Sequence, residues 1–517
     1  RVFSVFVSFV TLRWCPDVLC GFRVVKREEF IRFYEKRKAD GYEFELDTFI
    51  TVKSKIFTIP IIYEKKNKNS PTLTIILNIL NHPLVISSML FFVVFSFLFL
   101  FFKYSLLVIS DDFAHLARAK YNSFFGLPKL TLMQEENPVN YAWFIQFLLS
   151  FAKISEEAMI NALILFKIFL LFIFFSSFIR NSTNLIKPIL GLIIILLIKD
   201  HMNVGRVLSI SLISVFLQIY DRIYCAHKYR SNNYLYIFII AALQIIWSNS
   251  HILFISGIVI PIIFFVWRRK RLYFISVLVN LFASLINPYH IHLLIYAVSV
   301  PIFLTTSGPH RNIPELYPLA KMLYLASTDK YAFVLFLYYI VFSINISAMI
   351  FANFKNLIFP EKFFAVSSLL ASFFLSFRFI ELTCSIAPFC KINKKIFVIF
   401  LLLLPRIFFS MEGHFVYYQV QRGLEYLGKE CKGVFIDTFG YLASPSIFYL
   451  YPAVVPFVDF FSAFNKPSAY EIITDYEKLK QEIVKDERIK CVSFKGDSIV
   501  HPHPDFVVEK FVIKKIR

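Results

Sequence analysis

Residues 110–121 read "SDDFAHLARAKY" and follow directly on a long, mostly apolar run. Asp111 and Asp112 stand side by side, with His115 one helical turn later. Adjacent carboxylates repel each other and lose solvation near hydrocarbon, so packing alone does not account for them. Paired carboxylates beside an imidazole are candidates for proton-transfer chemistry. What that chemistry acts on depends on the elements that hold the doublet in place.

Those elements are membrane helices. The chain has 517 residues, 57% hydrophobic and 18% aromatic, with a mean hydropathy of +0.63. Apolar runs of about 20 residues, enough to cross a bilayer, recur from Leu84 to Ser410. This composition predicts a polytopic α-helical membrane protein. The formal charge of +20 does not point to nucleic acid, because the basic residues sit mainly in short loops between apolar runs, where they act as topology signals. The seven cysteines show no CxxC or other metal spacing. Cys225 and Cys390 fall in or beside loops assigned to the cytoplasm, while Cys431 and Cys491 share the tail and can pair. The sequence shows no internal repeat, and no signal peptide is expected. The chain opens at Arg1 rather than Met, which reads as a truncated start.

Three regions differ in composition. Residues 1–72 are mixed and charged, 84–410 form the membrane region, and 411–517 return to soluble composition. In the tail, "GVFID" and "VVPFVDF" read as buried strands and "SAYEIITDYEKLKQEIVKD" as a helix, a small α/β domain. Basic clusters recur at Lys65–Lys68, Arg180 with Lys187, 221–230, "WRRKR" (267–271), Lys355 with Lys362, and "KINKK" (391–395). The positive-inside rule puts all of them in the cytoplasm if about eleven spans fall near 84–109, 157–179, 184–199, 206–222, 232–248, 251–267, 272–287, 331–353, 362–378, 379–391 and 395–410. The tail then lies outside. Residues 137–154 cannot span under this assignment, and read as an amphipathic helix on the outer surface with Tyr141 and Trp143 at the interface. Residues 290–305 fit the same description.

With topology set by Lys and Arg, the outer helix ends collect Asp111, Asp112, His115, His201, Arg206, Asn249, His251, Asn287, His290, Glu315 and Arg378. Ionisable groups at membrane depth normally face a cavity or a partner, so their gathering on one side predicts a polar site there. Arg206 and Arg378 can equally snorkel to lipid headgroups. Glu135 and Glu136 read as solvated loop residues. Asp437 and Asp459 end predicted strands, where carboxylates cap turns.

These motifs resemble GT-C-fold glycosyltransferases, the class that includes oligosaccharyltransferases and protein mannosyltransferases. The likeness is greater to prokaryotic GT-C-like membrane proteins, whose outer loops read like "GRVLS", "WSNSHILFISG", "LINPYHIHLL", "IPELYP" and "RFIELTCSIAP" and whose tails resemble "GVFIDTFGYLASPSIFYLYPAVVPFVDFF". It covers roughly 84–495. The "WSNSH" loop departs from that group in lacking the Gly pair that often follows its His. Residues 1–70 resemble the final third of a GT-A-fold polyprenyl-phosphate sugar synthase, such as dolichol-phosphate mannosyltransferase. The matching stretches carry Gly21, Phe22 and Arg23, then Tyr42, Phe44 and Glu45, which in that family line the active site. The upstream Asp-rich metal motif and the nucleotide-binding half are absent, so this remnant by itself catalyses nothing.

The resemblance implies an integral plasma-membrane enzyme that moves a sugar from a polyprenyl- or dolichyl-phosphate donor to an acceptor at the outer face. The leaving phosphate is a stable anion and needs charge neutralisation more than protonation. Arg206 and Arg378 suit that role by bidentate contact. One Asp, Asp112 by its spacing in the motif, serves as general base, positioned by its neighbour or by His115. The oligosaccharyltransferase branch uses an acidic motif to hold a metal, so Mg²⁺ or Mn²⁺ on Asp111, Asp112 and His115 is an open alternative. A lipid-linked sugar flippase would instead call for charged residues near mid-span and helices broken by Gly or Pro, and the spans read as mostly uninterrupted Ile, Leu and Phe. A membrane anchor for the synthase would not need eleven helices.

Overall fold

The computed structural model describes residues 2–11, 83–106, 110–121, 140, 142–180, 182, 185–198, 203–227, 234–306, 330–374, 379–391, 397–398, 400–401, 403, 434–436, 491–494 and 512–515. These residues are mostly helical. In chain order the helices are α1 (Val2–Thr11), α2 (Pro83–Leu106), α3 (Ser110–Lys120), α4 (Trp143–Ser150), α5 (Glu156–Arg180), α6 (Ile186–Ile198) and α7 (Val204–His227). Then come α8 (Tyr234–Ser248), α9 (Ile255–Arg268), α10 (Arg271–Ser284), α11 (Ile291–Thr306), α12 (Lys330–Asn353), α13 (Phe359–Phe374) and α14 (Phe379–Cys384). Single 3₁₀ turns at Ile252–Phe254 and Ala387–Phe389 precede α9 and follow α14.

Among the described residues, three helices are long and apolar enough to cross a membrane: Pro83–Phe101 of α2, all of α5, and Val204–Ile223 of α7. Most other helices stand where spans were expected but fall short of the roughly 20 residues a bilayer needs. The expected span 184–199 is a helix of 13 residues, and 379–391 is a six-residue helix followed by a 3₁₀ turn. Eleven full-length spans are therefore not what the described residues form.

The apolar residues are sorted by packing partner. Between α2 and α5, the Phe91 ring stacks on Phe95 and Phe175 at centroid separations of 4.4 and 4.9 Å. A second aromatic cluster joins α7, α8, α9 and α10 through Phe216, Tyr220, Trp247, Phe264 and Tyr273. On the other side of the same helices, Leu100, Phe238 and Phe282 are 71%, 72% and 65% exposed. Large apolar side chains left outside a buried core suit hydrocarbon rather than water. Helix α1 packs on α5, where Phe6 stacks on Phe172 and Arg180 donates to the Val10 carbonyl.

Two polar ends close the bundle. Helices α5 and α7 run side by side in the same direction, tied by Ser211 Oγ to the Leu170 carbonyl at 2.7 Å and by Arg180 to Gln218. At the Arg180 end lie Lys187, in electrostatic reach of Glu361 and Cys390, and Asn353, bonded to the Lys391 backbone. At the opposite end lie Asp112, Val204, Arg206, Asn249 and Glu381.

In the tail, β1 (Val434–Ile436) pairs in parallel with β2 (Cys491–Phe494), and β2 pairs antiparallel with β3 (Val512–Lys515). Strand β1 lies in the expected "GVFID". The second expected strand, the expected tail helix, Cys431, Asp437 and Asp459 lie outside the described residues, as do Gly21, Phe22, Arg23, Tyr42, Phe44 and Glu45.

Candidate functional site

Helix α3 carries the acidic doublet and is sunk into the bundle. Phe113, Leu116 and Ala119 are fully buried, and α3 packs on α4 and α5. Asp112 is also fully buried, and both its carboxylate oxygens have partners. Oδ2 accepts from Lys167 Nζ at 2.8 Å, and Oδ1 accepts from the Val204 backbone N–H at 2.8 Å. The second bond satisfies the first orphan donor of α7 and places negative charge at the positive end of that helix. Asn203 completes the cap, its Oδ1 accepting the Arg206 N–H at 2.9 Å.

Lys167 is the surprise. It stands eleven residues into α5, roughly 16 Å from the start of that helix at 1.5 Å per residue, and is 2% exposed. The reading of the spans as uninterrupted apolar runs overlooked it, although a lone cation within a membrane run is by itself a signal. Extending the Ser211–Leu170 pairing toward the doublet sets Val204 level with residue 163 of α5. Helix α7 therefore begins about 10 Å short of the end of α5. Asp112 lies at that offset, against Lys167 and Val204.

His115, also on α3, is 8% exposed. Gln146 Nε2 lies 3.3 Å from His115 Nδ1, and Gln146 forms a reciprocal amide pair with Asn140: Asn140 Nδ2 to Gln146 Oε1 at 2.6 Å, Gln146 Nε2 to Asn140 Oδ1 at 3.2 Å. Asn140 is itself fixed by its N–H donating to the Tyr289 hydroxyl at 2.9 Å. Burial raises the Tyr289 pKa above the usual phenol value, an effect opposed by the Asn140 N–H and by Arg118. Helix α4, expected on the surface, is thus pinned by one face. Ile145, Gln146 and Leu149 are buried, while Phe147, Leu148 and Phe151 remain exposed. Trp143, expected at the interface, donates its indole N–H to Asn249 Oδ1 at 2.7 Å.

Asn249 and His251 shape the turn after α8. Asn249 Nδ2 donates to the Ile245 and Ile286 carbonyls at 2.7 and 2.8 Å, while its backbone carbonyl accepts the Phe144 N–H. His251 Nδ1 accepts the Leu253 N–H and sits 2.9 Å from Ser209 Oγ, which also receives the Trp247 indole N–H at 2.9 Å. The imidazole packs against Gly205, where any Cβ would meet its Cδ2 at 2.6 Å.

Of the remaining expected residues, Arg206 is buried with Nη1 3.9 Å from Glu381 Oε1, a partner the sequence did not single out. Asn287 closes the α10–α11 turn, its Oδ1 accepting the Tyr289 N–H at 2.8 Å and its Nδ2 donating to Ser284. His290 is exposed on that turn in a left-handed conformation (φ 46°), its Nδ1 3.1 Å from the Leu285 carbonyl. It sits on the surface rather than in a cavity wall. His201, Glu315, Arg378 and the Asp111 side chain lie outside the described residues.

No family model, curated protein or solved structure matches this chain. The site is therefore read on its own chemistry. It does not suit a divalent ion through Asp112 or His115. An ammonium already neutralises the carboxylate, and the imidazole Nδ1 is taken by an amide donor. Among the described residues no group of three or more His, Cys, Asp and Glu is placed to hold a metal. What the arrangement offers is a polar cluster at one end of the bundle, with two buried ion pairs, one of them holding the Arg206 guanidinium, and two buried imidazoles.

Proposed function

We propose that the chain is a polytopic membrane glycosyltransferase of GT-C type, taking a sugar from a polyprenyl- or dolichyl-phosphate donor to an acceptor outside the cytoplasmic membrane. One observation supports the reading above the others. Asp112, His115, Arg206, Asn249 and His251 lie at one end of the bundle, linked through α4 and the first turn of α7, while Arg180 and Lys187 lie at the other. In this reading the Arg180 end faces the cytoplasm by the positive-inside rule, the shorter helices complete about eleven passes, and the strands belong to an extracytoplasmic α/β domain. In the same reading the residues before α2 belong to a donor-making synthase domain.

The roles within the doublet divide. Asp112 is committed to Lys167 and to the start of α7, so it anchors α3, and the acceptor proton goes to Asp111. Arg206, with Arg378, neutralises the leaving phosphate. Holding the two substrates against fixed charges is the main contribution such a site can make.

A second reading, a lipid-linked sugar flippase, gains support from Lys167 within α5 and from Pro261 inside α9, features the apolar runs had hidden. Reconstituted protein separates the two. The transferase reading expects loss of labelled sugar from a polyprenyl-phosphate donor to an acceptor mixture, abolished by Asp111→Asn. Donor crossing the vesicle bilayer with no sugar leaving its phosphate would replace it with the flippase.

A further inference from the structure

The turn between α9 and α10 carries "WRRKR" (267–271), a basic cluster with no part in the polar site at the other end of the bundle. Arg269 is its pivot. It follows the last residue of α9 in a left-handed conformation (φ 48°, ψ 34°), its N–H donating to the Phe265 carbonyl at 2.6 Å. Lys270 is extended (φ −93°, ψ 134°), and α10 begins at Arg271. Helices commonly end on glycine at the position Arg269 occupies, because a Cβ is strained there. A cation held against that preference is the kind of backbone outlier that marks a use.

Arg269, Lys270 and Arg271 are exposed, and among the described residues none of the three makes an ion pair or a side-chain hydrogen bond. Beside them, the Arg268 guanidinium lies 3.6 Å from the centroid of the Trp267 ring, a cation–π stack. Behind the turn, apolar side chains face outward at helical spacing on both helices: Val259, Ile262 and Val266 on α9, and Phe274, Leu278 and Phe282 on α10. Phe265 packs on Phe274 across the hairpin at 5.5 Å. The turn lies at the Arg180 end, since Tyr220, late in α7, meets both Phe264 and Tyr273.

An outward apolar surface that ends in an indole and then in unpaired cations follows the layers of a bilayer leaflet: acyl chain, interface, headgroup. A topology signal needs only charge, in any geometry. We propose that the α9–α10 turn is a docking site for anionic phospholipid headgroups, with Arg269, Lys270 and Arg271 facing the phosphate and Trp267 as the interfacial anchor. Lipid is the occupant because the cations continue directly into the surface that suits hydrocarbon. Each cation favours anionic over neutral lipid by about fivefold. The site rests on the membrane reading of α9 and α10 and is independent of sugar transfer.

The test uses the full chain in nanodiscs of equimolar phosphatidylglycerol and phosphatidylcholine, with brominated acyl chains on one lipid at a time. Quenching of Trp267 fluorescence is isolated by difference against Trp267→Phe. Bromine on phosphatidylglycerol should quench it more strongly, with a relative association constant of tenfold or more, and 1 M salt should remove most of the excess. The triple variant Arg269→Gln, Lys270→Gln, Arg271→Gln should quench equally with either lipid, and replacing the same arginines by Lys should keep the preference. Arg269→Gly keeps the turn and relieves its backbone. It should hold or raise the thermal midpoint in phosphatidylcholine alone while lowering the preference about fivefold, a split that a purely structural Arg269 would not give. Equal quenching of the wild-type chain by the two lipids overturns the proposal, as does an Arg269→Gly preference equal to wild type. No quenching by either lipid overturns it too, and removes the hairpin from the membrane. Sugar transfer is not read in any arm, so the transferase reading stands or falls separately.

Discussion

Lys167 Nζ lies 2.8 Å from Asp112 Oδ2, with the two side chains 2% and 0% exposed. This pair joins the middle of one membrane helix to the short helix carrying the acidic doublet, and through Asp112 to the start of α7. Removing one partner leaves a buried charge without compensation, which costs about 3–5 kcal/mol. Lys167→Met or Asp112→Leu alone should therefore lower the thermal midpoint of the detergent-solubilised protein by many degrees. The double variant should recover most of the loss, because neither charge remains. A double variant as unstable as the sum of the singles would show that the two do not act as a pair.

Gly205 has His251 where a side chain would go. Gly205→Ala puts a methyl 2.6 Å from the imidazole Cδ2, so the ring must move off Ser209. Overpacking of this kind costs about 1–3 kcal/mol. Transfer activity should fall with it, and a Gly205→Ala protein with unchanged stability and activity would contradict the observed packing.

Tyr289→Phe removes the acceptor of the Asn140 N–H and frees the end of the amide relay. The stranded donor should cost about 1–3 kcal/mol. The sign of the Tyr289 shift adds a pH test. A phenol whose pKa is raised in the folded state leaves stability untouched below its ordinary value near 10, and stability declines only as pH climbs above that. Alkaline unfolding of wild type should show this decline, and the Phe variant should lack that part of it.

His290 occupies the left-handed region on an exposed turn, a conformation that costs a side chain about 1 kcal/mol and glycine almost nothing. His290→Gly should hold or slightly raise the thermal midpoint and leave transfer within about twofold. A large loss of transfer would restore His290 to the site.

The two-ended charge arrangement predicts the result of accessibility labelling. In a cysteine-free background, a single cysteine at Lys153 should react with an impermeant maleimide added outside intact cells, and one at Arg269 only after permeabilisation. Equal reaction at both from outside would invert the proposed orientation.

The apolar runs, read residue by residue, determined that the described region is helical and nearly where each helix lies, because hydrocarbon forces backbone groups to bond within their own segment. The charge pattern likewise separated the residues now seen at the two ends of α5 and α7. Helix length was less legible, since apolar composition continues through the turns and does not mark where a helix stops. The meaning of individual polar residues came only from packing. Asp112, read as a base, is found bonded to Lys167 and to the start of α7, and Trp143, read as an interface residue, donates to Asn249. Lys167, Gln146, Ser209 and Glu381 were passed over, and each stands beside a residue far away in sequence. A side chain's chemistry depends on what faces it, and only the folded bundle brings those partners together.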